Sequence, residues 1–311
     1  MERGINMSSI IKVRNLTKSF GKVKAVDNIN FEVEKGELFG FLGVNGAGKS
    51  TTINILCTLA NKTSGNVEVC GLELGKKDKE IRNEIGIVFQ DNSLDELLTV
   101  KENLISRGYL YETDSKKIEQ NLDRVCETLK IGDLLNRKFK ELSGGQKRSC
   151  DIARALMNTP EILFLDEPTT GLDPKTRQNL WNSLEYLRKE TKMTVFLTTH
   201  YMEEAAKAQH VAIMDAGKIV AHGTPFKIKE DYALDKLKVE PSNIEQVKNI
   251  LEDYNLDYKE DTNRLNINIP NSLYSIALLE KIEKHIKSFE VAQGTMEDAF
   301  LNITGKSLKE V

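Results

Sequence analysis

No apolar run in this chain of 311 residues approaches the ~18 residues that would suggest a membrane span. The apolar stretches that do occur, such as Ile162 to Leu165, are strand-sized and end in charge or glycine. The N-terminus, MERGINMSSI, has no apolar centre and does not read as a secretory signal; Met7 offers a second start after a short leader. An excess of basic charge is also missing, since 44 Lys and Arg face 47 Asp and Glu for a formal net charge of -3. That balance argues against a protein whose main task is neutralising nucleic-acid phosphates, and no nucleic-acid partner is expected. Cysteine is sparse. Cys57, Cys70, Cys126 and Cys150 form no C-x-x-C pair and match no zinc spacing, so they read as reduced thiols.

What is present reads as one large domain followed by a smaller one. Ile10 to Val13, Ile29 to Val33 and Glu37 to Leu42 are strand-like, and a helix starts near Lys49. Further strands fit Val67 to Cys70, Ile85 to Phe89, Ile162 to Leu165, Thr194 to Thr198 and Val211 to Asp215. The runs ending at Leu42, Leu165 and Thr198 lack in/out alternation, which suits central strands of a parallel sheet buried on both faces. Between Asp91 and Leu156 the spacing turns helical, with charged faces such as KKIEQNLDRVCETLK, as expected of a helical subdomain. After Gly223 and Pro225 the chain becomes rich in Lys, Glu, Asn and Asp. There a strand at Leu237 to Val239, a helix at Ser242 to Tyr254, a strand at Leu265 to Ile269, a helix at Leu273 to Ile286 and a strand at Phe289 to Ala292 are expected. That order suggests a small ferredoxin-like unit, with a last helix at Met296 to Ile303. The expected boundaries are 8–225, with a helical insert at about 91–156, and 232–311.

Gly43-Val44-Asn45-Gly46-Ala47-Gly48-Lys49-Ser50-Thr51 fits G-x-x-x-x-G-K-[ST], between a strand and a helix. Its glycines let backbone N–H groups turn inward on phosphate oxygens, and the helix N-terminus adds a positive end. Lys49 is placed to reach the terminal phosphates of ATP and Ser50 to hold Mg²⁺. The loop alone says only that a nucleotide is bound; kinases, GTPases and motor ATPases all stay open.

Ile162 to Glu167 puts two carboxylates at the carboxyl end of a buried strand, where ligands of open α/β sheets sit. Asp166 suits a metal and Glu167 suits an attacking water. Leu142-Ser143-Gly144-Gly145-Gln146 precedes a helical run and reads as a second anion nest or a plain helix cap. One nucleotide does not need two nests so far apart in sequence, whereas a head-to-tail pair of chains uses both.

LSGGQ resembles the signature of the ABC (ATP-binding cassette) ATPases, and the other motifs follow in that family's order over roughly Ile10 to Pro225. The resemblance implies a P-loop cassette, a RecA-like core with antiparallel β and helical subdomains, plus the small α+β unit. It implies that adenine stacks on Phe20 and that Gln90 touches Mg²⁺ and water. It makes Glu167 the catalytic carboxylate and His200 the γ-phosphate switch, and brings Ser143, Gly144, Gly145, Gln146 and Asp173 to the partner's nucleotide. Phe20 would otherwise be a core phenylalanine and His200 an ordinary strand-end histidine. Val44 departs from a frequent proline, and Ser149 and Cys150 from a basic and an aliphatic residue.

Gly294 to Leu301, GTMEDAFL, with Thr304-Gly305 after it, resembles the tail of ATPases from ABC-2-type drug and antibiotic exporters, and the GTPFKIK turn suits the same group. The resemblance implies a homodimer closed by ATP and Mg²⁺ and a separate transmembrane permease. It places the chain peripherally on the inner face of the membrane. An importer subunit, a soluble cofactor-assembly ATPase and a non-hydrolysing regulatory cassette are the competing readings.

Overall fold

The structure is a computed structural model and describes residues 9–305; the N-terminal segment with Met7, and residues 306–311 of the expected second domain, lie outside it. The chain divides into two units between His222 and Gly223. The first begins with β1 (Ser9–Phe20), β2 (Val23–Glu34), β3 (Leu38–Leu42), α1 (Lys49–Leu56), β4 (Ser64–Val69) and β5 (Leu72–Glu73). It continues through α2 (Asp78–Glu84), β6 (Ile85–Val88), α3 (Val100–Gly108), α4 (Ser115–Leu129) and α5 (Gly144–Leu156). Then come β7 (Ile162–Asp166), α6 (Pro174–Thr191), β8 (Thr194–Thr199), α7 (Met202–Ala205), β9 (His210–Asp215) and β10 (Lys218–Gly223).

Two sheets result, an antiparallel one ordered β2-β1-β4-β5 and a larger one ordered β10-β9-β3-β8-β7-β6. From β9 to β6 neighbouring strands run parallel. Every residue of β3, β7 and β8 is buried, the polar Asp166, Thr194, Thr198 and Thr199 included, as the lack of in/out alternation required. A cluster of phenylalanines joins the sheets: Phe31 stacks on Phe39 with centroids 5.6 Å apart, and Phe196 lies 5.4 Å from both Phe39 and Phe164. Burying each such ring stabilises the fold by about 1.5–3 kcal/mol.

Local chemistry starts and stops the helices of the 91–156 segment. Thr99 and Glu102 form a capping box on α3, and Asp114 caps α4. Ile118, Leu122, Val125, Cys126 and Leu129 then form one buried stripe, and Lys130 ends α4 in the left-handed region at φ 54°.

The second unit has α8 (Pro225–Tyr232), β11 (Asp235–Pro241), α9 (Ile244–Asp253), β12 (Tyr258–Asp261), β13 (Arg264–Ile269), α10 (Tyr274–Ile282), β14 (Ile286–Ala292) and α11 (Met296–Thr304). Its antiparallel sheet is ordered β12-β13-β11-β14. Leu237, Val239, Leu265, Ile267 and Ile269 pack with Val247 and Leu251 of α9 and Leu278 and Ile282 of α10.

The structure differs from expectation in detail. α2, α6, α7, β5 and β10 have no counterpart in the sequence reading, and α10 stops at Ile282, with Ile286 already in β14. The GTPFKIK turn is a helix start: the Thr224 hydroxyl accepts from the Lys227 N–H at 3.1 Å and Pro225 takes the first helical position. Gly and Pro marked a loop there, but Thr followed by Pro is also a cap signal.

Candidate functional site

β3 runs into the 43–51 loop at the carboxyl edge of the parallel sheet. Gly48 sits at φ 110°, and a Cβ there would lie 2.3 Å from the Ala25 carbonyl oxygen, so only glycine passes. α1 starts without a side-chain cap. The first N–H groups of a helix have no intrahelical acceptor, so this end presents donors and a positive dipole. Asn45, Gly46 and Ser50 are exposed, Thr51 is half-buried and Ala47 is buried. The Lys49 ammonium folds back onto its own loop, donating to the Gly43 oxygen at 2.7 Å and the Val44 oxygen at 3.2 Å. Burial lowers its pKa from the usual 10.5, against the opposing charges of Glu167 and Asp166.

β7 and β8 bring the acidic pair and the histidine to the same edge. The Thr198 hydroxyl donates to the Asp166 carboxylate and accepts from the Glu167 N–H at 3.1 Å. Glu167 is held at φ 47°, an uncommon conformation for a residue with a Cβ. One of its carboxylate oxygens lies 3.8 Å from the Lys49 ammonium and the other 3.3 Å from Nδ1 of His200. The Thr170 hydroxyl donates to that second oxygen at 3.2 Å. The His200 ring lies 4.1 Å from the Tyr201 ring, and the Arg177 guanidinium sits 4.2 Å over Tyr201. Thus Lys49, the adjacent pair Asp166 and Glu167, and His200, three places far apart in sequence, converge on one point.

The remaining candidates stand apart. Phe20, 56% exposed, is no core residue; the Lys18 ammonium lies 4.7 Å over its ring. Gln90 is exposed just beyond β6. Ser143 caps α5: its hydroxyl accepts from the Gln146 N–H at 3.4 Å, and the Gln146 side chain accepts from the Ser143 N–H at 3.0 Å. Asp173 caps α6, accepting from the Lys175 and Thr176 N–H groups at 3.1 Å each. Hydrogen bonding from the Thr176 side chain, and next from the Thr176 N–H, holds its pKa below the usual 3.8. Gly145 lies against Thr176, where a Cβ would approach the threonine methyl to 2.3 Å. A cleft of about 1380 Å³ opens beside this junction, lined among others by Ser143, Gly145, Gln146, Thr176 and Asn179.

The sequence reading missed the polar grip of α5 on the Gln90 segment. The Arg148 guanidinium, 5% exposed, donates to the carbonyls of Phe89, Pro168 (2.7 Å) and Asp166 (3.0 Å). Arg154 donates to the Ile87 oxygen at 2.6 Å, and the Asp151 carboxylate accepts from the Ser93 N–H at 3.1 Å. Its available signal was three charged residues on the apolar face of one helix. Burial lowers the Arg148 pKa, countered by the charges of Asp151 and Asp166.

Among the described residues no group of three or more His, Cys, Asp or Glu is placed to hold a metal. Mg²⁺ needs no such cage: it keeps waters and takes one or two carboxylates plus substrate phosphates. The Ser50 hydroxyl, Gln90 amide and Asp166 carboxylate fit that kind of donor set.

The ABC transporter family model matches residues 26–170. Over 98% of this chain and 100% of its own length, the Nod factor export ATP-binding protein I of Cupriavidus metallidurans is 32% identical. This chain belongs to the ABC transporter ATP-binding family. It is thus an ATP-binding ATPase. The daunorubicin/doxorubicin resistance ATP-binding protein of Streptomyces peucetius is 33% identical over 97% of this ABC chain and 93% of its own. A cassette from Clostridium perfringens, part of the ABC transporter complex cbiONQ, superposes with a TM-score of 0.66 at 29% identity, over 71% of this chain and 90% of its own. The cassette MJ0796, in a dimeric post-hydrolysis state with ADP and Pi, gives 0.63 at 30% identity, over 69% of this chain and 98% of its own. Among the described residues of this ABC chain no helix is long and apolar enough to cross a membrane.

Proposed function

We propose that this chain is the ATPase subunit that powers export of a substrate through a separate transmembrane permease, from the inner face of the cell membrane. The observation that carries the export reading is the match along the whole chain, both units included, to a protein named for export. The convergence of Lys49, Asp166, Glu167 and His200 carries the chemistry.

In this reading the 43–51 loop binds the ATP phosphates and Lys49 leaves its loop carbonyls for the β- and γ-phosphates. Adenine stacks on Phe20. Mg²⁺ held by Ser50, Asp166 and Gln90 would offset charge on the phosphate oxygens. Glu167 orients a water and accepts its proton as the water oxygen attacks the γ-phosphorus. The bond to the bridging oxygen breaks, leaving ADP and inorganic phosphate. His200 holds the γ-phosphate. Two copies close head to tail, so that Ser143, Gly144, Gly145, Gln146 and Asp173 of one meet the nucleotide of the other. To do so, Ser143 and Gln146 exchange their mutual capping bonds for bonds to phosphate. Closure passes to the permease through Gln90 and the Asp91 to Leu104 segment. The second unit supports pairing or regulates closure, so deleting residues 237–311 weakens dimerisation in sedimentation.

The test is an affinity pull-down from native membranes in mild detergent, with partners identified by mass spectrometry. A stoichiometric partner with several membrane spans supports the reading. A clean preparation containing only soluble proteins replaces it with a cofactor-assembly or regulatory role.

A further inference from the structure

Glu204 on α7 is a carboxylate with 2% exposure and no part in the chemistry above. Its Oε1 accepts from the Thr169 hydroxyl and from the Trp181 indole N–H at 3.1 Å. Its Oε2 accepts from the Thr199 hydroxyl at 2.6 Å, and that hydroxyl accepts from the Tyr201 N–H at 2.9 Å. Burying a carboxylate is costly unless its oxygens are bonded. An apolar side chain would fill this space without that cost.

The position of the three donors gives the carboxylate a use. Thr169 lies between Glu167 and Asp173, on the segment leaving β7. Trp181 belongs to α6, the helix that Asp173 caps. Thr199 immediately precedes His200, and Tyr201, whose ring touches His200, is fixed through the same hydroxyl. One carboxylate therefore ties together the chain on either side of the 3.3 Å approach between Glu167 and His200.

We propose that Glu204 is a positioning residue for ATP hydrolysis, holding the Glu167-to-Asp173 segment in register with the strand end that carries His200. This rests on the roles proposed above for Glu167 and His200. Lys49 and the 43–51 loop take no bond from Glu204, so its effect falls on turnover and not on nucleotide affinity. Small misplacement of reacting groups is enough to lower a rate by about 10²-fold.

The experiment compares full-length wild type, Glu204→Gln and Glu167→Gln for ATP turnover at saturating ATP, equilibrium ATP affinity and unfolding. Glu204→Gln keeps the shape but turns an amide N–H₂ toward groups that donate. The expected result is turnover reduced about ten- to a hundred-fold with ATP affinity within about twofold of wild type. Turnover is expressed per folded molecule; unchanged turnover, or a loss matched by an equal loss of affinity, overturns the proposal. Thr169→Val and Thr199→Val, each close in shape, provide a second measurement that survives if Glu204→Gln does not fold. Acting through one carboxylate, their effects on turnover are less than additive when combined; additive effects overturn the proposal. If Glu167→Gln turns over normally, the underlying site assignment fails; if it is inactive while Glu204→Gln is normal, only the role of Glu204 fails.

Discussion

The Arg148 guanidinium donates at 3.0 Å to the main-chain carbonyl of Asp166. A side chain from the helix that Ser143 caps thus holds the strand end where the acidic pair begins. The same guanidinium holds the Phe89 carbonyl, one residue before Gln90. The helix that begins at the signature, the Gln90 segment and the acidic strand end share one buried cation.

Arg148→Met leaves three carbonyl oxygens without their donor and lowers the stability of the first unit by at least about 2 kcal/mol. Arg148→Lys recovers only part of this, since an ammonium cannot reproduce the planar fork. The check is urea unfolding followed by fluorescence of Trp181, the chain's one tryptophan, which lies in that unit. A midpoint unchanged by either substitution contradicts the prediction.

Glu167→Gln keeps ATP binding, lowers turnover by about 10²-fold or more and traps the ATP-bound dimer. Lys49→Ala loses ATP binding instead. Phosphate release, ATP titration and sedimentation with and without ATP separate the two. Normal turnover by Glu167→Gln sinks the assignment.

Gly48→Ala places a methyl 2.3 Å from the Ala25 oxygen at φ 110°, so the loop must move. Gly46→Ala, at φ 77°, meets no neighbour within 4 Å. The second change costs about 1–2 kcal/mol of backbone strain; the first costs more and also weakens ATP binding. Equal effects on the unfolding midpoint would falsify this account of the loop.

Glu37 is 4% exposed, with one carboxylate oxygen accepting from the Glu34 N–H at 2.7 Å and the other 2.7 Å from His210 Nδ1. Burial raises its pKa above the usual 4.5, and the His210 contact opposes that rise. The folded chain therefore keeps this proton to higher pH than the unfolded chain. Its contribution to stability is complete below pH 4.5 and is lost as pH rises through the folded-state pKa. Glu37→Gln removes the slope, so the stability of wild type relative to the variant falls as pH rises from 4.5. Unfolding at a series of pH values checks the sign; a rising difference refutes it.

By itself the sequence determined the features that depend on neighbouring residues. The glycine pattern of residues 43–51 is dictated by backbone angles and close approach, so it is visible as residue type. The runs at β3, β7 and β8 lack in/out alternation because both faces are covered. The Ser143 cap was legible for the same local reason, whereas the caps at Thr99 and Asp173 emerged only with the structure. The α8 start was written as plainly in Thr224-Pro225, but the glycine before it reads equally well as a turn.

Only the tertiary structure decided what meets what. Sheet order brings β8 beside β7 and so His200 to Glu167; no spacing along the chain encodes that 3.3 Å approach. Arg148 acts through main-chain carbonyls, which every residue type possesses, so its partners leave no trace in sequence. Glu204 is one acidic residue among many until burial and three converging donors set it apart. Long-range polar contacts are fixed by chain topology and by the cost of leaving buried charge unpaired, and neither is a property of a short stretch of sequence.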